Sequence, residues 1–267
     1  MNIFLYVIIF MCGTMFGSFY TLAVYRIPKN IDIVKKHSYC PNCNHRLGIL
    51  DLIPILSYIF LGGKCRYCKQ KIRPRYLILE VISGIIFMIF AYIFNINIYT
   101  ITIKNILPLI FMILYFTAVV LISAIDKEYR NINKKVLAYG IIISVIYMIY
   151  LYVIDSASIY RYVIYLAIYI MLLIVDTFVL RKLAKNSYYI DLLLYFMIMI
   201  IFMGNTMAVL TIFVLIIELL VHILIAKLLQ KRNGNKKIKL EQIQLAFYLG
   251  IGNIIVMLTI GIMNIIR

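Results

Sequence analysis

The apolar residues of this chain fall into long runs that are separated by short polar stretches. A run of about 20 apolar residues is long enough to span the hydrocarbon core of a bilayer as an α-helix. Eight such runs are predicted, at residues 3–25, 77–95, 104–125, 136–154, 159–180, 188–203, 206–229 and 243–265. The pattern therefore predicts an all-α integral membrane protein with about eight transmembrane helices.

Composition and charge distribution support this fold class. Hydrophobic residues make up 65% of the 267 residues and charged residues only 14%, which excludes an ordinary soluble domain. The net charge is +17, but 24 of the 27 Lys and Arg residues lie in residues 26–76, 127–135, 181–187 and 227–241, at or beyond the ends of the first, third, fifth and seventh runs. Positive residues favour the cytosolic side, so these loops are predicted to be cytosolic and both termini to lie outside. The bias explains the basic charge through membrane topology, with lipid as the surroundings and no nucleic-acid partner expected.

The one substantial polar region extends from residue 26 to residue 76. A segment of this size cannot form a large apolar core, so a metal or disulfides would be expected to stabilise it. We predict a first transmembrane helix at 1–25, a small cytosolic loop domain at 26–76 and a seven-helix membrane domain at 77–267.

Four of the five cysteines lie in this loop and form two Cys-x-x-Cys pairs. The pairs are Cys40 with Cys43 and Cys65 with Cys68. Two such pairs suit a tetrahedral zinc ion of structural type, because four protein ligands leave no open coordination position. Disulfides are disfavoured in a cytosolic loop, and the alternative is a reduced or redox-active thiol set. The spacing favours a zinc-ribbon-like site.

Two acidic residues lie at the predicted cytosolic ends of apolar runs. Asp126 ends the third run and Asp191 begins the sixth. Carboxyls that meet in an apolar environment share a proton and can act as acid and base, as in aspartic proteases. The alternatives are two separate helix-end carboxylates, with Asp126 in a surface ion pair. Asp176 is a rival for the second position.

Several motifs in the first third of the chain occur together in one known family. They are Gly17-Ser18-Phe19, Tyr25-Arg26-Ile27-Pro28, the two cysteine pairs, Asp51 to Tyr58, Arg75-Tyr76 and Glu80. With these motifs the chain resembles the type IV prepilin peptidases, which are GxGD-type aspartic peptidases with a leader peptidase and often an N-methyltransferase activity. The resemblance extends to the eight spans and to an acid at the cytosolic end of spans three and six.

This resemblance implies a function and a site. Asp126 matches the first catalytic aspartate of the family and Asp191 the second. The family cleaves the leaders of type IV prepilins and pseudopilins, the substrates of type IV pilus and type II secretion assembly, at the cytosolic face of the bacterial inner membrane. Many members then methylate the new N-terminus with S-adenosylmethionine. No residue of this chain is assigned to the methyl donor.

The second catalytic motif departs from the family pattern. The chain has Tyr188-Tyr189-Ile190 before Asp191 where the family has Gly-x-Gly, and Leu193 where a lysine is usual. One alternative is therefore a degenerate relative that binds pilin precursors or assembly proteins without cleaving them. Another is a transporter that relays protons through Glu218 and Asp176, although this would leave the cysteine loop unexplained.

Overall fold

The computed structural model describes residues 2–99, 101–155, 159–175, 188–233 and 243–266. Within these ranges the chain is helical and has no strand, only two isolated bridges in the cysteine loop. The all-α prediction is confirmed. The helices are α1 (Asn2–Arg26), α2 (Leu56–Phe60), α3 (Arg75–Ile93), α4 (Ile103–Tyr129), α5 (Lys134–Asp155), α6 (Ile159–Val175), α7 (Tyr188–Met203), α8 (Asn205–Asn233) and α9 (Leu245–Ile266).

The eight predicted apolar runs all coincide with helices over the residues that the structure describes. Six of these helices are long and apolar enough to cross a membrane, namely α1, α3, α4, α5, α8 and α9. The other two, α6 and α7, are apolar but shorter. The predicted fifth run continues to residue 180, and its part beyond residue 175 lies outside the described ranges.

The chain divides into two compact units, residues 1–113 and residues 114–267. In the first unit α1 packs along α3 at very short range. A Cβ atom on Gly17 would lie 2.7 Å from the Cα atom of Glu80, and one on Gly13 would lie 2.7 Å from the backbone oxygen of Ser83. Small residues allow such close approach of helices in membranes. The two glycines thus fix how closely α1 and α3 pack.

The second unit is organised around α7, which contacts α5, α6, α8 and α9. Its interior is apolar, with a few buried polar links between distant helices. Tyr115 of α4 donates its hydroxyl to Asn253 of α9, and the Tyr115 ring stacks on Phe202 of α7 at 3.9 Å. Gly204, with φ of +85°, separates α7 from α8 because glycine adopts this conformation without steric cost.

Candidate active site and metal centre

Asp126 lies in the last turn of α4 and is fully buried, with 0% of its surface exposed. Its Oδ2 atom accepts two hydrogen bonds, one from the Tyr188 hydroxyl at 3.0 Å and one from the Phe247 backbone N–H at 3.0 Å. Its Oδ1 atom is buried and has no hydrogen-bond partner among the described residues. The alternative of a surface ion pair at Asp126 is wrong, because the carboxyl is not at the surface.

Asp191 lies in the first turn of α7 and is also buried, with 2% exposed. The Nζ atom of Lys134, which begins α5, lies 3.4 Å from its Oδ1 atom. A buried carboxylate is costly unless a charge or hydrogen bonds compensate for the lost hydration. The lysine at the start of α5 provides such a charge.

The first turn of α7 connects the two predicted aspartates. Tyr188, one turn before Asp191 on the same helix, donates its hydroxyl to Asp126. The rival Asp176 lies outside the described residues. The structure therefore brings the end of α4, which carries Asp126, against the start of the helix that carries Asp191. Two buried carboxyls of this kind have the chemical capacity for acid and base catalysis.

The four cysteines of the loop form one cluster. The sulfur atoms of Cys40, Cys43, Cys65 and Cys68 all lie within 4.8 Å of one another, and those of Cys40 and Cys68 are 3.8 Å apart. Zinc–sulfur bonds of about 2.3 Å in a tetrahedron imply sulfur–sulfur distances of about 3.8 Å. The cluster therefore fits a metal ion such as zinc.

The two Cys-x-x-Cys pairs adopt the same backbone conformation. In the first pair the N–H of Cys40 donates to the carbonyl of His45, and in the second the N–H of Cys65 donates to the carbonyl of Gln70. Asn44 and Lys69, which follow the second cysteine of each pair, have positive φ angles of 56° and 58°. Each turn thus directs two sulfurs toward the same point.

The thiols of the cluster differ in pKa, because their sulfurs differ in hydrogen bonding and burial. The Asn42 side chain donates to the Cys68 sulfur at 3.5 Å, and this bond is the largest cause that lowers the pKa of Cys68 to about 6. Although the His45 backbone N–H acts to lower it, burial and neighbouring sulfurs such as that of Cys40 raise the pKa of Cys43 to about 11. A bound cation would displace the remaining protons, since thiolates are the ligand form.

Asp51 connects the loop's single turn of 3-10 helix, Ile49–Asp51, to the second cysteine pair. Its Oδ1 atom accepts from Arg66 Nε at 2.6 Å and its Oδ2 atom accepts from the Gly48 N–H at 3.1 Å. Burial acts to raise the pKa of Asp51, but these bonds and the Arg66 charge outweigh it and hold the pKa below its ordinary value. Asp51 therefore remains charged at neutral pH and holds Arg66 beside Cys65.

Glu80 of α3 joins the motif around Ser18 on α1 to the motif around Ile55 in the loop. Its carboxyl accepts from the backbone N–H of Ile55 at 2.7 Å and also hydrogen-bonds Ser18. Ile55 has φ of +62°, a conformation that a β-branched residue rarely adopts and that costs of the order of 1–3 kcal/mol. The Glu80 hydrogen bond stabilises this strained position, and no sequence motif predicts it.

Arg26 is a second residue whose role the sequence does not reveal. It is only 4% exposed, and its guanidinium group donates to four backbone carbonyls of the chain that follows α1. The acceptors are Asp32, Ile33, Lys36 and His37, at 2.7–3.2 Å. Arg26 therefore fixes the start of the loop to the end of α1.

Comparison with known proteins connects these features to one family. Residues 11–94 match the sequence model of the bacterial peptidase A24 N-terminal domain. A prepilin leader peptidase/N-methyltransferase of Klebsiella pneumoniae is 29% identical over 126 residues, which cover 45% of this chain and 51% of that protein. The Bacillus subtilis protein of the same name is 30% identical over 132 residues, covering 49% and 50%. That of Vibrio cholerae is 37% identical over 87 residues, covering 29% and 34%.

These matches confirm the resemblance to the type IV prepilin peptidase family that the motifs indicate. The chain spans about half the length of the first two relatives. No solved structure matches the fold. The matched residues 11–94 include the four-cysteine cluster, Glu80 with its hydrogen-bond partners, and Arg26 with the carbonyls that it binds.

Proposed function

We propose that this chain is a membrane aspartic endopeptidase that removes the leader of type IV prepilins or pseudopilins at the cytosolic face of the bacterial inner membrane. The observation that carries this proposal is the pair of buried carboxyls, Asp126 at the end of α4 and Asp191 at the start of α7, connected through Tyr188. Relatives named as prepilin leader peptidases supply the substrate class.

The proposed chemistry uses the two carboxyls as a pair that shares one proton. The ionised carboxyl takes a proton from water, which attacks the scissile carbonyl, while the protonated carboxyl donates its proton to the carbonyl oxygen. A carboxyl then protonates the leaving amine as the C–N bond breaks. Burial supports this role, because two carboxyls kept from bulk water cannot both be ionised at little cost.

Two further proposals concern the loop and the second activity. We propose a structural zinc ion on Cys40, Cys43, Cys65 and Cys68, which would hold the loop folded and take no part in cleavage.

The names of the relatives also include N-methyltransferase, so we propose that methylation of the new N-terminus, with S-adenosylmethionine as donor, follows cleavage. Transfer of a labelled methyl group to a cleaved prepilin would test this second activity.

The test of the peptidase is cleavage of a prepilin from the same genome by the full chain in membranes. Asp126→Asn and Asp191→Asn are each expected to lower kcat by about 10³-fold or more, because each removes a group needed for proton transfer. The matched control is Glu218→Gln, since Glu218 is another membrane-embedded carboxyl, on α8 outside the proposed pair. It should cleave at the wild-type rate, whereas full cleavage by both aspartate variants would exclude the proposed mechanism.

A second candidate function is binding of pilin precursors without cleavage. It is favoured by one observation, the bulky Tyr188 and Ile190 at positions where the family motif has glycine. Under this proposal the folded wild-type protein would retain a prepilin on an affinity column and release it uncut. Wild-type cleavage that depends on both aspartates would exclude this candidate.

A further inference from the structure

Tyr188 lies between Asp126 and the first turn of α9. The Ala246 backbone N–H donates to the Tyr188 hydroxyl oxygen at 3.3 Å, and the Tyr188 hydroxyl lies 3.0 Å from Asp126 Oδ2. An amide N–H can only donate, so the tyrosine oxygen accepts at that contact and its own proton points to the carboxylate. Tyr188 therefore acts as a donor to Asp126.

The same turn of α9 supplies a second donor to the same oxygen. Phe247 N–H is 3.0 Å from Asp126 Oδ2, and Phe247 is the third residue of α9. The first N–H groups of a helix have no partner within the helix, and the helix dipole there favours a negative charge. Tyr188, Ala246, Phe247 and Asp126 thus form one connected set of hydrogen bonds.

The two donors act on one oxygen of the carboxyl and leave the other available. Oδ2 of Asp126 accepts from both Tyr188 and Phe247, while the buried Oδ1 has no hydrogen-bond partner among the described residues. A carboxylate held at one oxygen cannot rotate freely about its χ2 bond. The arrangement therefore determines which oxygen can take part in chemistry.

We propose that Tyr188 is a positioning residue that holds Asp126 so that its Oδ1 atom faces the catalytic water. This inference rests on the proposed peptidase function and adds to it a role for a residue that departs from the family motif. Tyr188 stands where the motif has its first glycine, and a glycine has no side chain that could make this bond. In this chain the Tyr188 hydroxyl therefore supplies a hydrogen bond to Asp126 that a glycine at the same position could not supply.

The test compares Tyr188→Phe with Tyr189→Phe in the full chain, using prepilin cleavage in membranes. Phenylalanine keeps the ring and removes only the hydroxyl, so Tyr188→Phe should lower kcat by about tenfold to a hundredfold and leave KM unchanged. Tyr189 is the matched control, because it is the adjacent tyrosine and is 67% exposed. Tyr189→Phe should cleave as the wild type does, and an unchanged kcat for Tyr188→Phe would overturn the inference.

A double-mutant cycle on thermal unfolding tests the contact without relying on activity. Tyr188→Phe removes the donor and Asp126→Ala removes the acceptor of the same hydrogen bond, so their effects on Tm should be clearly non-additive. Additive effects would show that the contact is absent and overturn the inference. Coupling without any wild-type cleavage would show that the proposed function has failed while the contact stands, and the positioning role would fall with that function.

Discussion

The interactions that stabilise the N-terminal unit, residues 1–113, differ in kind from those that stabilise the C-terminal unit, residues 114–267. In the first unit, single polar side chains bind the backbone of the loop, as Arg26 does at four carbonyls and Glu80 at the N–H of Ile55. In the second unit, apolar helices pack around α7, and buried polar links such as that between Ser123 and Tyr195 join helices that are far apart in the sequence.

This difference bears on the family-model match, which lies in the first unit at residues 11–94. A side chain that binds a defined backbone group, or a cysteine that must reach a shared metal, allows few replacements. Apolar packing between helices accepts many volume-conserving changes. The family match at residues 11–94 covers the region of the first kind. Single substitutions are therefore expected to lower the stability of the first unit more than that of the second.

The largest expected effect comes from disrupting the four-cysteine cluster, which we propose binds zinc. Cys40→Ser, or removal of zinc by a chelator, should unfold the loop, because structural zinc contributes about 10 kcal/mol or more in small domains. Amide hydrogen exchange should rise sharply across residues 38–71, while α7 and α9 keep their protection. Cys12→Ser is the control, since Cys12 lies exposed on α1. Equal protection in Cys40→Ser and wild type would contradict the metal site.

A smaller effect is expected where α1 meets α3. In Gly17→Ala the new methyl group would lie 2.7 Å from Glu80 Cα and 2.8 Å from the Leu79 carbonyl oxygen, so the helices must separate. Overpacking of this kind costs about 1–3 kcal/mol or more, which should appear as a lower Tm. Gly48→Ala is the control, because its methyl group would meet only Asp51 Oδ2 at 3.7 Å. A Tm equal to that of Gly48→Ala would show that α1 and α3 are less closely packed.

The smallest effect is expected for a polar link in the second unit. Tyr195→Phe removes a buried hydroxyl that lies 3.3 Å from Ser123 Oγ. Ser123 keeps its bond to the Val119 carbonyl at 2.6 Å, so no polar group is left unpaired and the loss should be about 1 kcal/mol. Thermal unfolding in detergent would measure it. A loss larger than that of Gly17→Ala would reverse the proposed contrast between the units.

The sequence predicted the helices and the cysteine cluster because both depend on short-range patterns. The length of an apolar run determines whether a helix can cross a bilayer, and the spacing within Cys40–Cys43 and Cys65–Cys68 determines the geometry of each turn. Because Asp126 and Asp191 adjoin apolar runs, the sequence also predicted that these two carboxyls lie at the ends of spans. Their assignment as a catalytic pair stays a prediction.

The hydrogen bonds that position these groups were not predictable in the same way. Tyr188 and Asp126 are separated by 62 residues, and Phe247 and Asp126 by 121. No local pattern relates residues so far apart, and a backbone donor such as the Phe247 N–H has no sequence signature at all. Tyr188 could be recognised from the sequence only as a departure from a glycine motif, and its hydrogen bond to Asp126 emerges from the fold.

The turn fixed by Arg26 has a consequence for the order in which the loop folds during synthesis. All four of its carbonyl acceptors lie 6 to 11 residues further along the chain, so the contacts are local in sequence. Local contacts form early because they require little loop-closure entropy. The turn can therefore form before Cys65 and Cys68 have left the ribosome, and it gives the nascent loop a fixed starting point on α1 in advance of any metal.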